Sequence, residues 1–559
     1  MKILLLSLNS RYTHSNLALY YLRTAAKDSG FEVSIKELSI NLQIIEIITE
    51  IYKSQPDVLA ISVYIWNSEL VAKLFPEIKQ ILPKCKIVLG GPEVSYNPDK
   101  WIENHPEIDF IVTGHGEAGF KFLLENYFTT NKKIINRQNP PFPEIEFPYI
   151  DEDFSELKDK YIYYESSRGC SYRCSYCLSS RSDQKLEYRD FEKVKAELTL
   201  LLFHKPKIVK FVDRTFNANK VFSRELWQFL INSGTKTKFH FEIFPTLLED
   251  EDFEILKTAP VELFQFEIGI QSVNSEILEI IDRHDDWQVS SKNIKKLLDM
   301  QNIHIHTDLI AGLPGENFEQ IKSSFNEIYG LNSHHFQLGF LKVLPGTKMQ
   351  EQAEEFDIKY MQTPPYQVMS TSDLSFDEII RLTEIEHLLN KFYNSGKYIE
   401  TINFLCSQYE NSFDFYGDLR EYYEVNNLEV SNPNWQQNAK TLINFAEEII
   451  PEYVHQLKDS IRWDWCKTAN SHYFPDFLQT ANLKQAKECG YEYLRNLSMK
   501  GVIDINEVKM TLSELKSAVF YIPETIEFAL KHKIDDKIAV FVKDVKKKKI
   551  TKIPFIEVK

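Results

Sequence analysis

Three thiols fall within eight residues, at Cys170, Cys174 and Cys177, in the stretch Ser166-Ser167-Arg168-Gly169-Cys170-Ser171-Tyr172-Arg173-Cys174-Ser175-Tyr176-Cys177. Thiolate is a soft donor suited to zinc and to iron–sulfur clusters. Clusters kept for electron transfer alone use four cysteines. Three thiolates on a four-iron cube leave one iron with an open position, which is what binding a substrate at the metal requires. The other reading is structural zinc with a distant histidine as fourth ligand. Structural zinc usually pairs two short knuckles. The sequence has no second one, because Cys85, Cys406, Cys466 and Cys489 are scattered.

The rest of the chain must position that loop. Its 559 residues predict three or four domains. A hydrophobic content of 43% with 26% charged residues is that of a globular protein with several cores. The net charge of −16 argues against a nucleic-acid backbone as main partner, and the Lys-rich run over 543–549 with Lys552 reads as a solvated edge or turn. The opening apolar run over 3–8 is too short for a signal sequence and is broken at once by Asn9-Ser10-Arg11. No later window predicts a membrane helix. Seven sparse cysteines are consistent with a reducing cytoplasm.

Over 1–135, near-continuous apolar strands at 2–8, 31–38, 57–63, 86–91 and 108–113 alternate with amphipathic helices, the first over 16–29 and closed by Gly30. This predicts an α/β Rossmann-like domain with a parallel sheet covered on both faces. Ligands of such sheets lie beyond the strands' carboxyl ends. Those ends carry Asn9, Ser62, Gly90, Gly91, Glu93, Gly114, Gly116 and Glu117, where glycine lets a ligand approach the backbone. Residues 136–155 are a proline-rich linker. Over 156–375, strands at 161–166, 207–213, 238–243, 262–270, 303–310 and 336–343 predict a partial parallel (β/α)6 barrel. Functional residues of parallel barrels come from strand ends, here Asp213, Glu242, Gln271, Ser272 and Gly312. From 376 to 559 a mainly helical domain is expected, with helices at 377–393, 399–409 and 439–457 and strand-like alternation at 537–542. The aromatic-rich stretches 462–466 and 470–474 read as core.

The C-x3-C-x2-C spacing, with Tyr176 before the last cysteine, resembles the cluster loop of the radical S-adenosylmethionine (radical SAM) superfamily. So does the run from Asp308 to Glu316, D-L-I-x-G-L-P-G-E, and Leu344-Pro345-Gly346-Thr347. Gly-Gly-Pro-Glu at 90–93 and Gly-x-Gly-Glu at 114–117 resemble the cobalamin-binding domain that precedes many radical SAM domains. With Phe392-Tyr393-Asn394-Ser395-Gly396, the whole arrangement is similar to a bacterial family whose C-terminal domain has no assigned function.

The resemblance implies a 4Fe-4S cluster on Cys170, Cys174 and Cys177, shielded by Tyr176. SAM would chelate the open iron, and an electron from the cluster would release a 5′-deoxyadenosyl radical. Asp213 would accept from the SAM ammonium, Glu242 would bind the ribose hydroxyls, Gln271 and Ser272 the ribose or carboxylate, and Gly312 would admit the adenine. Cobalamin would lie at the strand ends of the first domain. Relatives that ligate cobalt through histidine carry D-x-H-x-x-G there. His14 stands at the ligand position without the aspartate or the glycine, so binding without histidine ligation is expected. The implied activity is methyl transfer to an unactivated carbon of a small molecule or peptide, with flavodoxin or ferredoxin as electron donor, in the cytoplasm, with no membrane partner. A non-methylating rearrangement or cyclisation and a non-catalytic cobalamin sensor are the alternatives. Methylthiotransferases acting on transfer RNA share the barrel but carry three further N-terminal cysteines and a basic RNA-binding domain, whereas Cys85 stands alone.

Overall fold

A computed structural model describes residues 1–180, 185–469, 473–496, 502–505, 508–511, 518–534, 537–544 and 549–557. The chain divides into two units, Met1–Ile380 and Arg381–Lys559.

The first unit opens with six parallel strands, β1 (Lys2–Asn9), β2 (Glu32–Ser39), β3 (Val58–Ser62), β4 (Lys86–Gly90), β5 (Phe110–Thr113) and β6 (Ile134–Asn136). Their order is β2-β1-β3-β4-β5-β6. Alternate residues of β1 serve two separate cores. Leu4, Leu6 and Leu8 pack with Ile47, Ile51 and Leu74, while Ile3 and Leu5 pack with Leu19, Phe120 and Leu123. Both faces are therefore covered, as the unbroken apolar strands require. β6 has only three residues, too few to show a period, and sequence reading missed it. The order reverses between β1 and β3, which opens a crevice at their carboxyl ends. Asn16 caps the helix Leu17–Ala25, its side chain accepting from Ala18 N.

The second sheet of this unit is also parallel and runs in chain order: Ile162–Tyr164, Ile208–Phe211, Lys238–Glu242, Phe264–Gln271, His304–Ala311 and His335–Phe340. Six strand–helix units make the partial barrel. Along the fourth strand Phe264, Phe266, Ile268 and Ile270 are buried, while Gln265, Glu267, Gly269 and Gln271 are half-buried. The apolar set packs under the helices and the polar set forms the other face.

The second unit holds the helices Ile399–Cys406, Ser412–Val425, Trp435–Ile449, Val454–Thr468 and Asn482–Asn496. An antiparallel sheet of Val519–Tyr521, Lys537–Asp544 and Lys549–Glu557 follows. The helix expected over 439–457 is instead two helices, broken at Ile450-Pro451. Ile450 leaves the helical region (φ −137, ψ 56), because a residue before proline is pushed out of it. Trp463 and Trp465 are buried as expected. Asp459 is fully buried and accepts from Glu524 N, Thr525 N and Thr525 Oγ1. Residues 470–472 of the second aromatic stretch and 545–548 of the lysine run lie outside the described residues. Among the described residues no helix is long and apolar enough to cross a membrane.

Candidate cofactor site

The thiol loop leaves the first barrel strand and is anchored at its entrance by Asp213. The Asp213 carboxylate accepts from Ser166 Oγ and Ser167 Oγ at 2.6 Å each and from Ser166 N at 3.1 Å. Burial pushes its pKa up to about 6 against those bonds. This differs from the expected contact with a SAM ammonium: the second barrel strand ends at Phe211, and Asp213 bonds the loop instead. Gly169 has φ +98, and a Cβ there would lie 2.4 Å from Lys185 O. Only glycine fits where Ser167–Arg168 pairs with Glu187–Tyr188. Further along, Ser175 N donates to Ile281 O and Met349 N to Ser175 O.

Cys170, Cys174 and Cys177 are all free thiols. Tyr172 N donates to Cys170 Sγ at 3.4 Å, and Thr215 Oγ1 lies 3.8 Å from the same sulfur. Arg283 Nη1 lies 3.8 Å from Cys174 Sγ. Tyr176 bonds Cys174 through its side chain, and burial raises the pKa of its hydroxyl. Sulfurs with nearby N–H and O–H groups are what a cluster's thiolates use. Among the described residues no three His, Cys, Asp or Glu side chains converge at the spacing of a single ion. Thiolates on separate corners of a cube stand further apart than the ligands of one ion. The donor set fits a three-cysteine cluster.

A cavity of about 1150 Å³ opens beside the start of the loop, and none of the three cysteines lines it. From the first domain it is lined by Asn9, Ser62, Gly90, Gly91, Gly114, Gly116 and Glu117, and from the barrel by Arg168, Gly169 and Arg214. Gly91 (φ +108) is required for packing, since a Cβ would lie 2.5 Å from Val63 O. Gly114 (φ +73) has no atom within 4 Å of a Cβ position, leaving bare backbone open to a ligand. Glu93, from the same set of candidates, does not line the cavity. It lies in the short helix Pro92–Ser95 and accepts from the Tyr366 hydroxyl.

Arg168 joins the two halves of the site. It bonds Glu165 at 2.8 and 3.0 Å, lies 3.0 Å from Glu117 and stacks 4.7 Å over Phe142. His14 also lines the cavity, and its Nδ1 lies 2.6 Å from the Tyr163 hydroxyl. Burial, then Lys210 and Arg11, lowers its pKa and keeps the ring neutral. Tyr163 thus stands where the missing aspartate of a histidine-ligating loop would act.

The remaining predicted residues are spread over the barrel. Glu242 is half-buried, 3.4 Å from Arg214, and desolvation raises its pKa to about 7. Gln271 sits at a bulge with φ +72, and its Oε1 has no partner. Ser272 is fully buried and donates to Glu316 at 2.5 Å rather than facing a ligand. Gly312 (φ +85) admits the Val368 side chain, 2.6 Å from its Cβ position. The space on its Cβ side is filled by that side chain.

Two features escaped the sequence reading. One is Arg283, which lies in no motif. The other is the polar inner face of the barrel, where His240 bonds Glu267 at 2.8 Å, pulling that carboxyl down to about 2. There His306 lies 3.0 Å from Asp308 and rests edge-on against His335. The signal was present in the alternation of Gln265 and Glu267, of His304, His306 and Asp308, and of His335 and Gln337. In closed barrels such positions hold bulky apolar residues.

Three family models match the chain in series: B12 binding domain over residues 3–124, Radical SAM superfamily over 164–328, and Protein of unknown function (DUF4080) over 354–542. The chain thus carries a B12-binding domain, a radical SAM domain and a DUF4080 domain in series. The cobalamin-dependent radical SAM methyltransferase TokK of Streptomyces tokunonensis is 24% identical over 342 residues, 55% of this chain and 50% of the relative. The 2-(S-pantetheinyl)-carbapenam-3-carboxylate methyltransferase of Streptantibioticus cattleyicolor is 25% identical over 329 residues, 52% and 48%. The chain thus spans about half the length of these curated relatives. Among solved structures, the cobalamin-dependent S-adenosylmethionine radical enzyme OxsB, with aqua-cobalamin and S-adenosylmethionine bound, superposes with a TM-score of 0.58 at 15% identity. The match covers 82% of this chain and 78% of OxsB, a likeness of fold. The radical SAM match takes in the thiol loop, and the B12-binding match takes in the glycine-lined strand ends.

Proposed function

We propose that this protein is a cobalamin-dependent radical SAM methyltransferase acting on an unactivated carbon. One observation carries the reading: Arg168 and Gly169, which open the thiol loop, and the glycine-lined strand ends of the first domain line one cavity of about 1150 Å³. That exceeds the roughly 300–1,000 Å³ of pockets for drug-sized ligands and suits a corrin. The relatives named as methyltransferases support the same reaction class. When bound, the cluster supplies the electron that cleaves SAM, and cobalamin carries the methyl group.

The chain's own residues do the rest. Cys170, Cys174 and Cys177 hold the cluster, and Asp213 fixes the entrance of their loop through Ser166 and Ser167. The bare backbone at Gly114 and the strand-end side chains Asn9 and Ser62 receive the corrin, with His14 held neutral beside Tyr163. Glu242, paired with Arg214, and the unpartnered Oε1 of Gln271 are the SAM contacts assigned here. The polar inner face of the barrel favours a substrate, small molecule or peptide, with hydrogen-bonding groups. The electron donor is a flavodoxin or ferredoxin, and the working compartment is the cytoplasm.

Anaerobic reconstitution of the full chain with iron, sulfide and cobalamin tests this. A coloured protein that binds corrin and releases 5′-deoxyadenosine from SAM under dithionite is the expected result. A chain that takes up neither iron nor corrin overturns the reading. Release of 5′-deoxyadenosine without methyl transfer to any offered substrate would favour rearrangement or cyclisation.

A further inference from the structure

The loop after β1 is tied on both sides of His14 to Tyr161, just before the first barrel strand. Tyr161 N donates to Thr13 O and Ser15 Oγ donates to Tyr161 O, each at 2.7 Å. Asn9 Nδ2 donates to His14 O at 2.8 Å, and His14 N donates to Arg11 O at 3.2 Å. The ring is fixed as well. It lies edge-on to Tyr161 at 5.3 Å and nearly parallel to Tyr163 at 6.2 Å, with Nδ1 2.6 Å from the Tyr163 hydroxyl. Nε2 has no hydrogen-bond partner among the described residues, and His14 lines the cavity together with Asn9, Ser62 and Gly114.

An imidazole binds a metal through whichever nitrogen its other hydrogen bond leaves free, and it is a good donor to late first-row metals. Ligating histidines almost always give their second N–H to a group that fixes the tautomer and the ring. The loop lacks the aspartate that would do this, so the sequence points away from ligation. Tyr163, 149 residues further on, stands in its place. With Nδ1–H donating to the Tyr163 oxygen, Nε2 keeps its lone pair.

We propose that His14 Nε2 is the axial ligand of the cobalt when cobalamin is bound, with Tyr163 as the positioning residue that holds its ring. The Nε2 lone pair forms the bond to cobalt and displaces water or the corrin's own base. The Nδ1 proton stays on the ring, shared with the Tyr163 oxygen, and no electron changes hands. His14 belongs to the first domain and Tyr163 to the barrel, so the ligand is set only where the two meet. The inference rests on the cobalamin reading of the first domain.

The test is EPR of the full chain, labelled throughout with nitrogen-15, loaded with unlabelled cobalamin and reduced by one electron to cobalt(II). A protein nitrogen on the axis splits each cobalt line in two, the corrin's own base splits it in three, and an oxygen donor leaves it unsplit. Wild type is expected to show the twofold splitting and H14A to lose it. Y163F should bind corrin about tenfold more weakly and show the unsplit signal in part; a spectrum and affinity equal to wild type overturn the part given to Tyr163. In wild type, threefold splitting or none overturns the inference, as does a twofold splitting that survives in H14A. In each of these cases the bound corrin leaves the proposed function standing. A wild-type chain that binds no corrin overturns both. Should H14A hold no corrin, H14Q decides: an unsplit signal supports the assignment, and a twofold splitting overturns it.

Discussion

Glu316 is fully buried, with Oε1 accepting from Ser272 at 2.5 Å and Oε2 unpartnered. Desolvation raises its pKa from 4.5 to about 7. A carboxyl raised in the folded state binds its proton more tightly there than when unfolded. Its contribution to stability is therefore complete below pH 4.5 and is lost as pH rises through about 7. The loss amounts to about 3 kcal/mol at 1.36 kcal/mol per pKa unit. Thermal melts of wild type and E316Q across this window are expected to diverge, wild type weakening with rising pH and the amide variant staying flat. Parallel curves would contradict the buried, protonated carboxyl. At Cys174, alanine removes a proposed cluster ligand and the sulfur that faces Arg283. C174A is expected to lose reconstituted iron and all SAM cleavage, read by iron analysis and 5′-deoxyadenosine assay, while far-UV circular dichroism stays as in wild type.

The turns at the two ends of the strands of the first sheet make a different demand, which Gly30, before β2, and Gly91, after β4, separate. Gly30 (φ +73) has open space where a Cβ would go, so G30A meets only the left-handed backbone cost of about 1 kcal/mol. Gly91 (φ +108) would drive its Cβ to 2.5 Å from Val63 O, a carbonyl that also accepts from Glu93 N. G91A should cost on the order of 3 kcal/mol and lower corrin uptake, because the turn after β4 lines the cavity. Urea unfolding of both variants measures the contrast, and equal losses would refute it.

Across the first unit, Arg168 holds the glycine-lined strand ends to the thiol loop. Its side chain is 13% exposed, and those of its partners Glu117 and Glu165 are 12% and 13% exposed. Glu117 lies in the first domain's last helix, Gly116–Glu125, and Glu165 follows the first barrel strand. Removing one member of a buried ion pair leaves the others uncompensated and costs about 3–5 kcal/mol. R168M, which keeps much of the packing on Phe142, should lose that much and expose the proline-rich stretch over 138–150 to limited proteolysis. A variant as protease-resistant as wild type would show that the domains dock without this arginine.

What the sequence determined by itself was whatever is written in local spacing. The thiol triad, the apolar strands of a doubly wound sheet, the six strand–helix units and the glycine turns are each set by neighbours a few residues apart. The prolines and glycines that punctuate them act locally too. The break at Ile450-Pro451 was legible on the same ground, since Pro451 stands inside the stretch expected as one helix over 439–457. The tertiary structure alone decided which strand-end side chains are paired within the protein. Asp213 turned to Ser166 and Ser167, Ser272 to Glu316, Glu93 to Tyr366, and Gly312 made room for Val368. Each of those choices depends on partners between 44 and 273 residues away for the hydrogen-bonded three. Arg283 reaches Cys174 across 109 residues of chain. No local pattern encodes such pairings, because burial leaves a polar group needing whichever partner the fold brings within reach.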